Sequence, residues 1–207
     1  MSSASPPSRR RRYARRLPPG QRREQLIDAA LSVIIEQGYS GVSIEAVARA
    51  AGVTRPVIYD HFPNLGRLLH TLIEREERYA LAQLDEVVPE DPGGREPVDV
   101  VAGGVRRFLD AVASRPATWR IILLPLEGTP AIVREHVEHN RARLLERIER
   151  LVRRAALPAG LEVELTARAI HDLAEQAGRL MLTDPERYSP ERYERFARTM
   201  VQLVLQG

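Results

Sequence analysis

The segment "GVTRPVIYDHF", residues 52–62, decides the fold of this chain. It places Pro56 two residues after Thr54 and directly before an apolar and aromatic run. A proline inside a helix removes a hydrogen bond, but the first four N–H groups of a helix have no partner within it. With Gly52 in a turn and Thr54 as a capping residue, the pattern predicts that a helix begins here, capped at Thr54 or at Arg55.

The stretch before this segment predicts a second helix at a fixed angle to the first. Ser43 is the expected N-cap, and the small Ala48 lies where two helix backbones must approach closely. Gly52 supplies the turn, while Val53 and Ile58 are the apolar residues that fill the angle between the helices. This is the helix-turn-helix pattern, whose second helix enters the major groove of DNA.

The rest of the chain shows helical periodicity separated by Gly and Pro, without sustained alternation of apolar and polar residues. We therefore predict an all-α fold of about nine helices. The stretch "PEDPGGREP", residues 89–97, predicts a linker and a domain boundary. Residues 1–19 are rich in Ser, Pro and Arg, which predicts a disordered arm.

Composition excludes several classes of protein and indicates a polyanionic partner. There is no cysteine, so disulfides, thiolate metal sites and cysteine nucleophiles are excluded. No apolar run approaches the roughly 20 residues of a membrane-spanning helix, and the basic N-terminus lacks the apolar core of a secretory signal, so a cytoplasmic, nucleoid-associated location is expected. The formal net charge is +3, yet residues 1–23 hold eight arginines and no acid, which leaves the remaining chain net acidic. Such an arm either stays solvated or binds a polyanion.

The stretch "LIDAALSVIIEQGYSGVSIEAVARAAGVTRPVIYDHFPNLGRLL", residues 26–69, resembles the DNA-binding domain of the tetracycline-repressor (TetR) family of bacterial transcription regulators. The resemblance implies a three-helix DNA-binding domain and a connecting fourth helix. It also implies a C-terminal helical domain that forms a homodimer through its last two helices and binds a small molecule in its interior. We expect domains at 1–19 (the arm), 20–66 (DNA binding) and 67–207 (effector binding and dimerisation), with a palindromic double-stranded operator as the DNA partner.

Within this frame Arg55 is the expected base reader, because arginine pairs with guanine O6 and N7. Ser43, Thr54, Tyr59 and His61 are expected to contact phosphates, and Val57 to contact a thymine methyl group. The expected basic contacts to the DNA backbone or minor groove are Arg67, Arg22, Arg15 and Arg16. Tyr59 has the alternative of packing its ring in the core, and His61 that of a plain surface residue; Phe62 is assigned to the core. Where the family often has a lysine at the start of the fourth helix, this chain has Leu65, and Arg67 is the candidate replacement.

The C-terminal half carries candidates for an effector site and a dimer interface. The expected effector-binding residues are aromatic, aliphatic and polar groups on predicted helices: Phe108, Trp119, Ile122, Leu126, His136, Asn140, Asp172 and Gln176. The apolar faces of the last two helices predict the dimer interface: Leu173, Ala177, Leu180, Met181, Phe196, Met200, Leu203 and Val204. The effector is expected to be partly apolar.

Rival functions find little support in the residues. The chain has no Gly-rich phosphate loop, no G-x-S-x-G and no H-E-x-x-H, so no enzyme activity, cofactor or metal is expected. The alternative to a ligand-released repressor is a ligand-independent DNA-binding protein whose C-terminal domain only dimerises. A filled core favours this alternative, and an internal apolar cavity with a few polar groups favours the sensor.

Overall fold

The computed structural model describes residues 18–124, 126–154 and 160–206. Within these ranges the regular structure is entirely helical, which confirms the all-α prediction. Nine α-helices are present there, together with one 3-10 turn at Tyr39–Gly41: α1 Pro19–Gln37, α2 Ile44–Ala51, α3 Arg55–Tyr59, α4 Leu65–Val87, α5 Pro97–Ser114, α6 Pro116–Leu123, α7 Ala131–Arg154, α8 Val163–Thr183 and α9 Pro190–Gln206. The predicted arm falls almost wholly on residues 1–17, which lie outside the described residues.

Side-chain caps and glycine set the ends of the short N-terminal helices. The hydroxyl of Ser43 accepts a hydrogen bond of 3.1 Å from the Ala46 N–H and so caps α2, as predicted. Gly52 ends α2 with φ 66° and ψ 31°, a left-handed conformation that residues with a Cβ adopt at a cost. Asn64 caps α4 by accepting a 2.9 Å hydrogen bond from the Arg67 N–H. These caps supply partners for N–H groups that a helix leaves unpaired.

The first three helices and the first half of α4 enclose one apolar core. Its most deeply buried members come from all four of these helices and from the turn after α3: Leu26, Ile34, Val47, Ile58, Phe62, Leu68 and Leu72. Phe62 is buried, as assigned from the sequence. This core holds α2 and α3 at a fixed angle, so side chains on the outer face of α3 are presented from a rigid base.

A second core lies between the C-terminal half of α4 and helices α5 to α8. Phe108 and Trp119 meet there edge to face, with ring centroids 5.2 Å apart and planes at 85°. Val87 and Val88 belong to the same cluster as Phe108, so the chain on both sides of residues 89–97 packs into one core. The prediction of a domain boundary at 89–97 was therefore wrong. Those residues form a loop within one packed unit.

The two cores meet where α6 and α7 touch the turn after α1. Ile121 and Val133 pack into the N-terminal core although they belong to α6 and α7. The backbone N–H of Tyr39 donates a 2.8 Å hydrogen bond to the carbonyl of Glu127. Gly128 lies so close to Ser40 that an added Cβ would be 2.9 Å from the Ser40 nitrogen. The loop between α6 and α7 thus rests directly on the turn that leads into the helix-turn-helix.

Candidate functional site

The outer face of α3 is the candidate DNA-binding surface. Ile58 is fully buried and anchors the helix, whereas Thr54, Arg55, Pro56 and Tyr59 are exposed. Thr54 occupies the N-cap position, but its side chain makes no capping hydrogen bond, so the prediction of a side-chain cap there was wrong. The backbone carries the turn instead, since the Val57 N–H donates to the Thr54 carbonyl at 3.1 Å. The Thr54 hydroxyl is therefore not committed to capping α3.

Arg55 lies in a small polar cluster that also contains Glu45 of α2. Its Nη1 is 2.8 Å from Glu45 Oε1, and both side chains are more than half exposed. A hydrogen bond with Tyr59 and the charge of Glu45 together raise the pKa of Arg55 above its usual value. Tyr59 is 47% exposed, so its ring does not pack in the core. The sequence did not predict a role for Glu45, because its contact with Arg55 joins two helices. The available signal was an acidic residue in the first turn of α2.

The other predicted DNA contacts lie around this cluster at different depths. Ser43, Val57 and His61 are half-buried, and the Ser43 hydroxyl is already engaged as a cap. Arg67 is exposed at the start of α4. Leu65 packs against the N-terminal core.

The basic residues before α2 are only partly described. Arg22 is half-buried at the start of α1, with its Nη1 2.6 Å from Gln25 Oε1. Neighbouring Arg23 stacks on the Phe62 ring, 4.8 Å from its centroid. Arg15 and Arg16 lie outside the described residues, so the structure places no part of the predicted arm contact.

An apolar cavity lies between the two cores. It is lined by α4, by the turn at Tyr39, and by residues of α5, α6, α7 and α8. The lining runs from Ile73 to Leu84 on α4, which is about 16 Å of helix. The cavity has a volume of about 80 Å³. The cavity is therefore long and narrow.

The structure brings most, but not all, of the predicted effector residues to this cavity. Phe108, Trp119, Ile122, His136 and Asn140 line it. Leu126, Asp172 and Gln176 do not, which corrects the prediction for these three. Leu126 packs against the N-terminal core, while His171 and Glu175, each one position earlier in α8, face the cavity in place of the other two. One residue is about 100° of helix rotation, so an error of one position exchanges the buried face for the exposed one.

The carboxylates that line the cavity are all paired. Glu77 accepts from the Asn140 amide at 2.5 Å and faces His136 Nδ1 at 3.0 Å. Burial alone would raise the pKa of Glu77, but the hydrogen bonds from His136 and Asn140 outweigh it and lower the pKa. Glu175 accepts from Arg141 and from Arg179, each at 2.6 Å.

A buried ion cluster connects the cavity to α1. Arg75 Nη1 lies 2.9 Å from Glu24 and 2.7 Å from Asp28, both on α1, and Arg75 Nη2 lies 2.8 Å from Glu76. Glu76 is only 2% exposed, lines the cavity, and accepts a hydrogen bond of 2.5 Å from Thr118 on α6. Burial alone would lower the pKa of Arg75, but its hydrogen bonds to these carboxylates raise it. The cluster joins α1, α4 and α6, and no pattern in the sequence pointed to it.

The predicted dimer interface divides into exposed and buried residues. Leu173, Phe196, Met200, Leu203 and Val204 are exposed, and Leu180 is half-buried. Ala177 and Met181 belong to the chain's own second core, so predicting them as interface residues was wrong. They lie on the side of α8 that packs against the neighbouring helices of the same chain. The exposed set leaves α9, which packs against α5, with a row of partly exposed apolar side chains.

The helix-turn-helix region matches a known protein family. The family model described as bacterial regulatory proteins, tetR family, matches residues 26–71. That stretch contains the helix-turn-helix and the start of α4, and structures of TetR-like regulators match nearly the whole chain. The stretch from α1 into α4 therefore carries the DNA-binding domain of the tetR family.

The chain is similar to known transcriptional regulators. The chain is 31% identical over 123 residues to the HTH-type transcriptional regulator EthR of Mycolicibacterium smegmatis, a match that covers 59% of the chain and 55% of that regulator. It spans about half the length of the first curated relatives it matches. A solved complex of SmeT with triclosan is 25% identical, with a TM-score of 0.65 over 87% of this chain and 89% of that one.

The fold of the family extends over almost all of the chain. A TetR-like transcriptional regulator from Rhodococcus sp. RHA1 is 22% identical, with a TM-score of 0.67, and the match covers 90% of this chain and 99% of that one. In the described part of the chain, no three His, Asp or Glu side chains are arranged to hold a metal ion. No helix there is long and apolar enough to cross a membrane.

Proposed function

We propose that this chain is a sequence-specific transcriptional repressor that binds a palindromic operator as a homodimer and is released by a small molecule in the cavity. The observation that carries the proposal is the outer face of α3. There Arg55 and Tyr59 project from a helix that is fixed from behind by Ile58 and Phe62. A rigid base is what base reading requires, because hydrogen bonds to base edges discriminate only when donor positions are fixed.

Each exposed group of this face has a separate role in the proposal. Arg55 exchanges Glu45 for the O6 and N7 atoms of a guanine. Thr54, Tyr59 and His61 contact phosphates and set the register, while Val57 meets a thymine methyl group. Ser43 adds a phosphate contact from the start of α2. Arg67 and Arg22 extend the phosphate contacts on either side, and Arg15 and Arg16 follow the backbone or the minor groove.

The exposed face of α9 supports the homodimer. Phe196, Met200, Leu203 and Val204 are each more than 40% exposed, and Leu173 of the neighbouring α8 is 60% exposed. Exposed apolar side chains of this kind are costly in water unless a partner covers them. A second copy would place two α3 helices on one DNA molecule. This doubles the number of base contacts and demands half-sites about 34–36 Å apart.

Two contacts support a link between the cavity and the DNA-binding face. Tyr39 lines the cavity with its side chain, while its backbone holds the loop after α6 against the entry to the helix-turn-helix. Arg75 and Glu76 connect α1 to the cavity wall. A ligand that widens the narrow cavity would move these contacts. It would then favour a conformation in which the two α3 helices no longer match successive major grooves.

The alternative is a DNA-binding protein whose C-terminal domain only dimerises. A well-packed core with no space would favour it. The long cavity and its polar lining favour the sensor instead. The effector is then expected to be partly apolar, and the protein is expected to act in the cytoplasm on nucleoid DNA. The proposed limits of the DNA-binding domain, 20–66, and of the effector and dimerisation domain, 67–207, place the boundary in the first turn of α4.

Selection of operators from random double-stranded DNA tests the proposal. The full chain should enrich a palindrome with half-sites about one helical turn apart, and footprinting should show protection of two adjacent major grooves. Enrichment of direct repeats, or of no sequence at all, would contradict the proposed dimeric reader. The selected operator then serves as the DNA probe in a screen for small molecules that release the protein from it.

A further inference from the structure

Two residues of the cavity lining carry buried polar atoms that lack hydrogen-bond partners. Among the described residues, the buried side-chain nitrogen and oxygen atoms without a partner are Tyr39 Oη, His171 Nε2 and Arg147 Nε. Tyr39 and His171 both line the cavity. A buried polar atom without a partner costs about 1–3 kcal/mol, so proteins rarely retain one without a reason. Two of them at one cavity indicate a ligand that completes them.

Tyr39 supplies a hydroxyl at the end of the cavity next to the DNA-binding core. The residue is 6% exposed, and its ring packs in the N-terminal core. Burial raises its pKa to about 12, so the hydroxyl stays protonated at neutral pH. A protonated phenol both donates and accepts a hydrogen bond. Tyr39 can therefore pair with a hydroxyl, a carbonyl or an amide of a ligand.

His171 supplies an unpaired ring nitrogen. The residue is 9% exposed, and its Nδ1 lies 3.0 Å from Asp172 Oδ1. A carboxylate only accepts hydrogen bonds, so the Nδ1 that faces Asp172 carries a hydrogen. The nearest carboxylate oxygen, Glu175 Oε1, is 3.7 Å from Nε2, beyond hydrogen-bonding distance. Nε2 is therefore left for a polar group of the ligand.

The charged groups of the cavity leave no place for an ionised ligand. Glu76 is held by Arg75 and Thr118, Glu77 by His136 and Asn140, and Glu175 by Arg141 and Arg179. An anion would enter beside three carboxylates. A cation would have to replace an arginine or histidine that is already in place. Burying an ion without a free counter-charge is unfavourable, so an uncharged molecule is preferred.

We propose that the cavity binds an uncharged, elongated and mainly apolar molecule whose hydroxyl-type polar groups form hydrogen bonds with the unpaired Tyr39 Oη and His171 Nε2. The narrow space along α4 selects a slender molecule, and the two unpaired atoms select its polar groups. This inference rests on the proposed function, because it assigns the chemistry of the same cavity. The position of Tyr39 in the turn before α2 also makes it one of the residues through which occupancy would reach the DNA-binding face.

Binding is measurable on the full chain through Trp119, the only tryptophan, which lines the cavity. The probes are n-decanol, decanoate and decylamine, which share one apolar chain and differ in the charge of the head group. We expect n-decanol to change the Trp119 emission with at least tenfold higher affinity than either ion. Tyr39→Phe and His171→Phe should each weaken n-decanol about three- to tenfold, since each loses one hydrogen bond, and should leave the weak binding of the ions unchanged.

Two control variants keep the test independent of folding. Tyr193→Phe removes a hydroxyl outside the cavity lining and should bind n-decanol as the wild type does. His171→Gln restores a hydrogen-bonding group and should recover most of the affinity lost in His171→Phe. No response to n-decanol, binding of an ion as tight as that of n-decanol, or unchanged affinity in both phenylalanine variants would overturn the inference.

Operator binding is read separately, from the fluorescence anisotropy of labelled DNA. If n-decanol occupies the cavity with the predicted variant effects but leaves operator affinity unchanged, the inference on ligand chemistry stands and the proposed release mechanism fails. If release follows a charged probe instead, the release mechanism stands and the inference on ligand chemistry fails.

Discussion

Replacing Arg75 by methionine should destabilise the chain strongly, because it leaves a buried carboxylate without its counter-charge. Glu76 is 3% exposed in its side chain and pairs with Arg75 Nη2 at 2.8 Å. Removing one partner of a buried ion pair costs about 3–5 kcal/mol. Glu24 and Asp28 are 54% and 67% exposed, so the loss of their contacts adds only about 0–1 kcal/mol each. We expect Arg75→Met to lower the free energy of unfolding by about 3 kcal/mol or more.

A double substitution distinguishes the destabilisation caused by the unpaired buried charge from that caused by lost packing around Arg75. In Arg75→Met/Glu76→Gln the amide retains a hydrogen bond with Thr118 and carries no charge, so most of the lost stability should return. Arg168→Met, which removes an exposed arginine paired with Glu164 at 3.5 Å, should cost less than about 0.5 kcal/mol. Urea unfolding followed by Trp119 emission at one fixed protomer concentration measures all three variants. If Arg75→Met costs no more than Arg168→Met, or if the double variant is as unstable as the single one, the reasoning is refuted.

Three further predictions concern other parts of the molecule. Tyr39→Phe should remove a loss of stability at alkaline pH, because the Tyr39 hydroxyl loses its proton near pH 10.0 in the unfolded chain and near pH 12 in the folded chain. The wild type should therefore lose about 1.3 kcal/mol of unfolding free energy between pH 9 and pH 11, and the variant should keep it. An equal decrease in both proteins, measured by urea unfolding at each pH, would contradict this. Glu45→Gln should strengthen operator binding about two- to fivefold, because Arg55 is freed from an exposed ion pair; equal affinity by anisotropy would show that the pair does not compete with DNA. Leu203→Glu should weaken dimerisation at least tenfold, as measured by sedimentation velocity. Ile132→Glu, at a similarly exposed apolar residue on α7, should leave dimerisation unchanged, and equal effects of the two variants would place the interface elsewhere.

Local signals in the sequence predicted the elements well, because they act within a few residues. The Ser43 cap, the left-handed Gly52 and the proline in the first turn of α3 each depend on backbone chemistry that neighbouring residues reveal.

The contacts between helices were not predictable in the same way. The Arg75–Glu76 cluster draws its partners from α1 and α6, which only the tertiary fold brings together. On α8 the apolar pattern was too broad to fix the rotation of the helix. Asp172 was therefore chosen in place of His171, which lines the cavity one position earlier in α8.

The effect of Arg55→Ala on sequence discrimination tests the central claim most directly. The quantity measured is the affinity of the full chain for its selected operator divided by its affinity for a scrambled sequence. A bidentate arginine–guanine contact is worth about 1–3 kcal/mol of discrimination, so the ratio should fall at least fivefold while weak, salt-sensitive binding to both sequences persists. Arg168→Ala, far along the chain on α8, should leave the ratio unchanged. A ratio for Arg55→Ala equal to that of the wild type would contradict the claim that α3 reads the operator through Arg55.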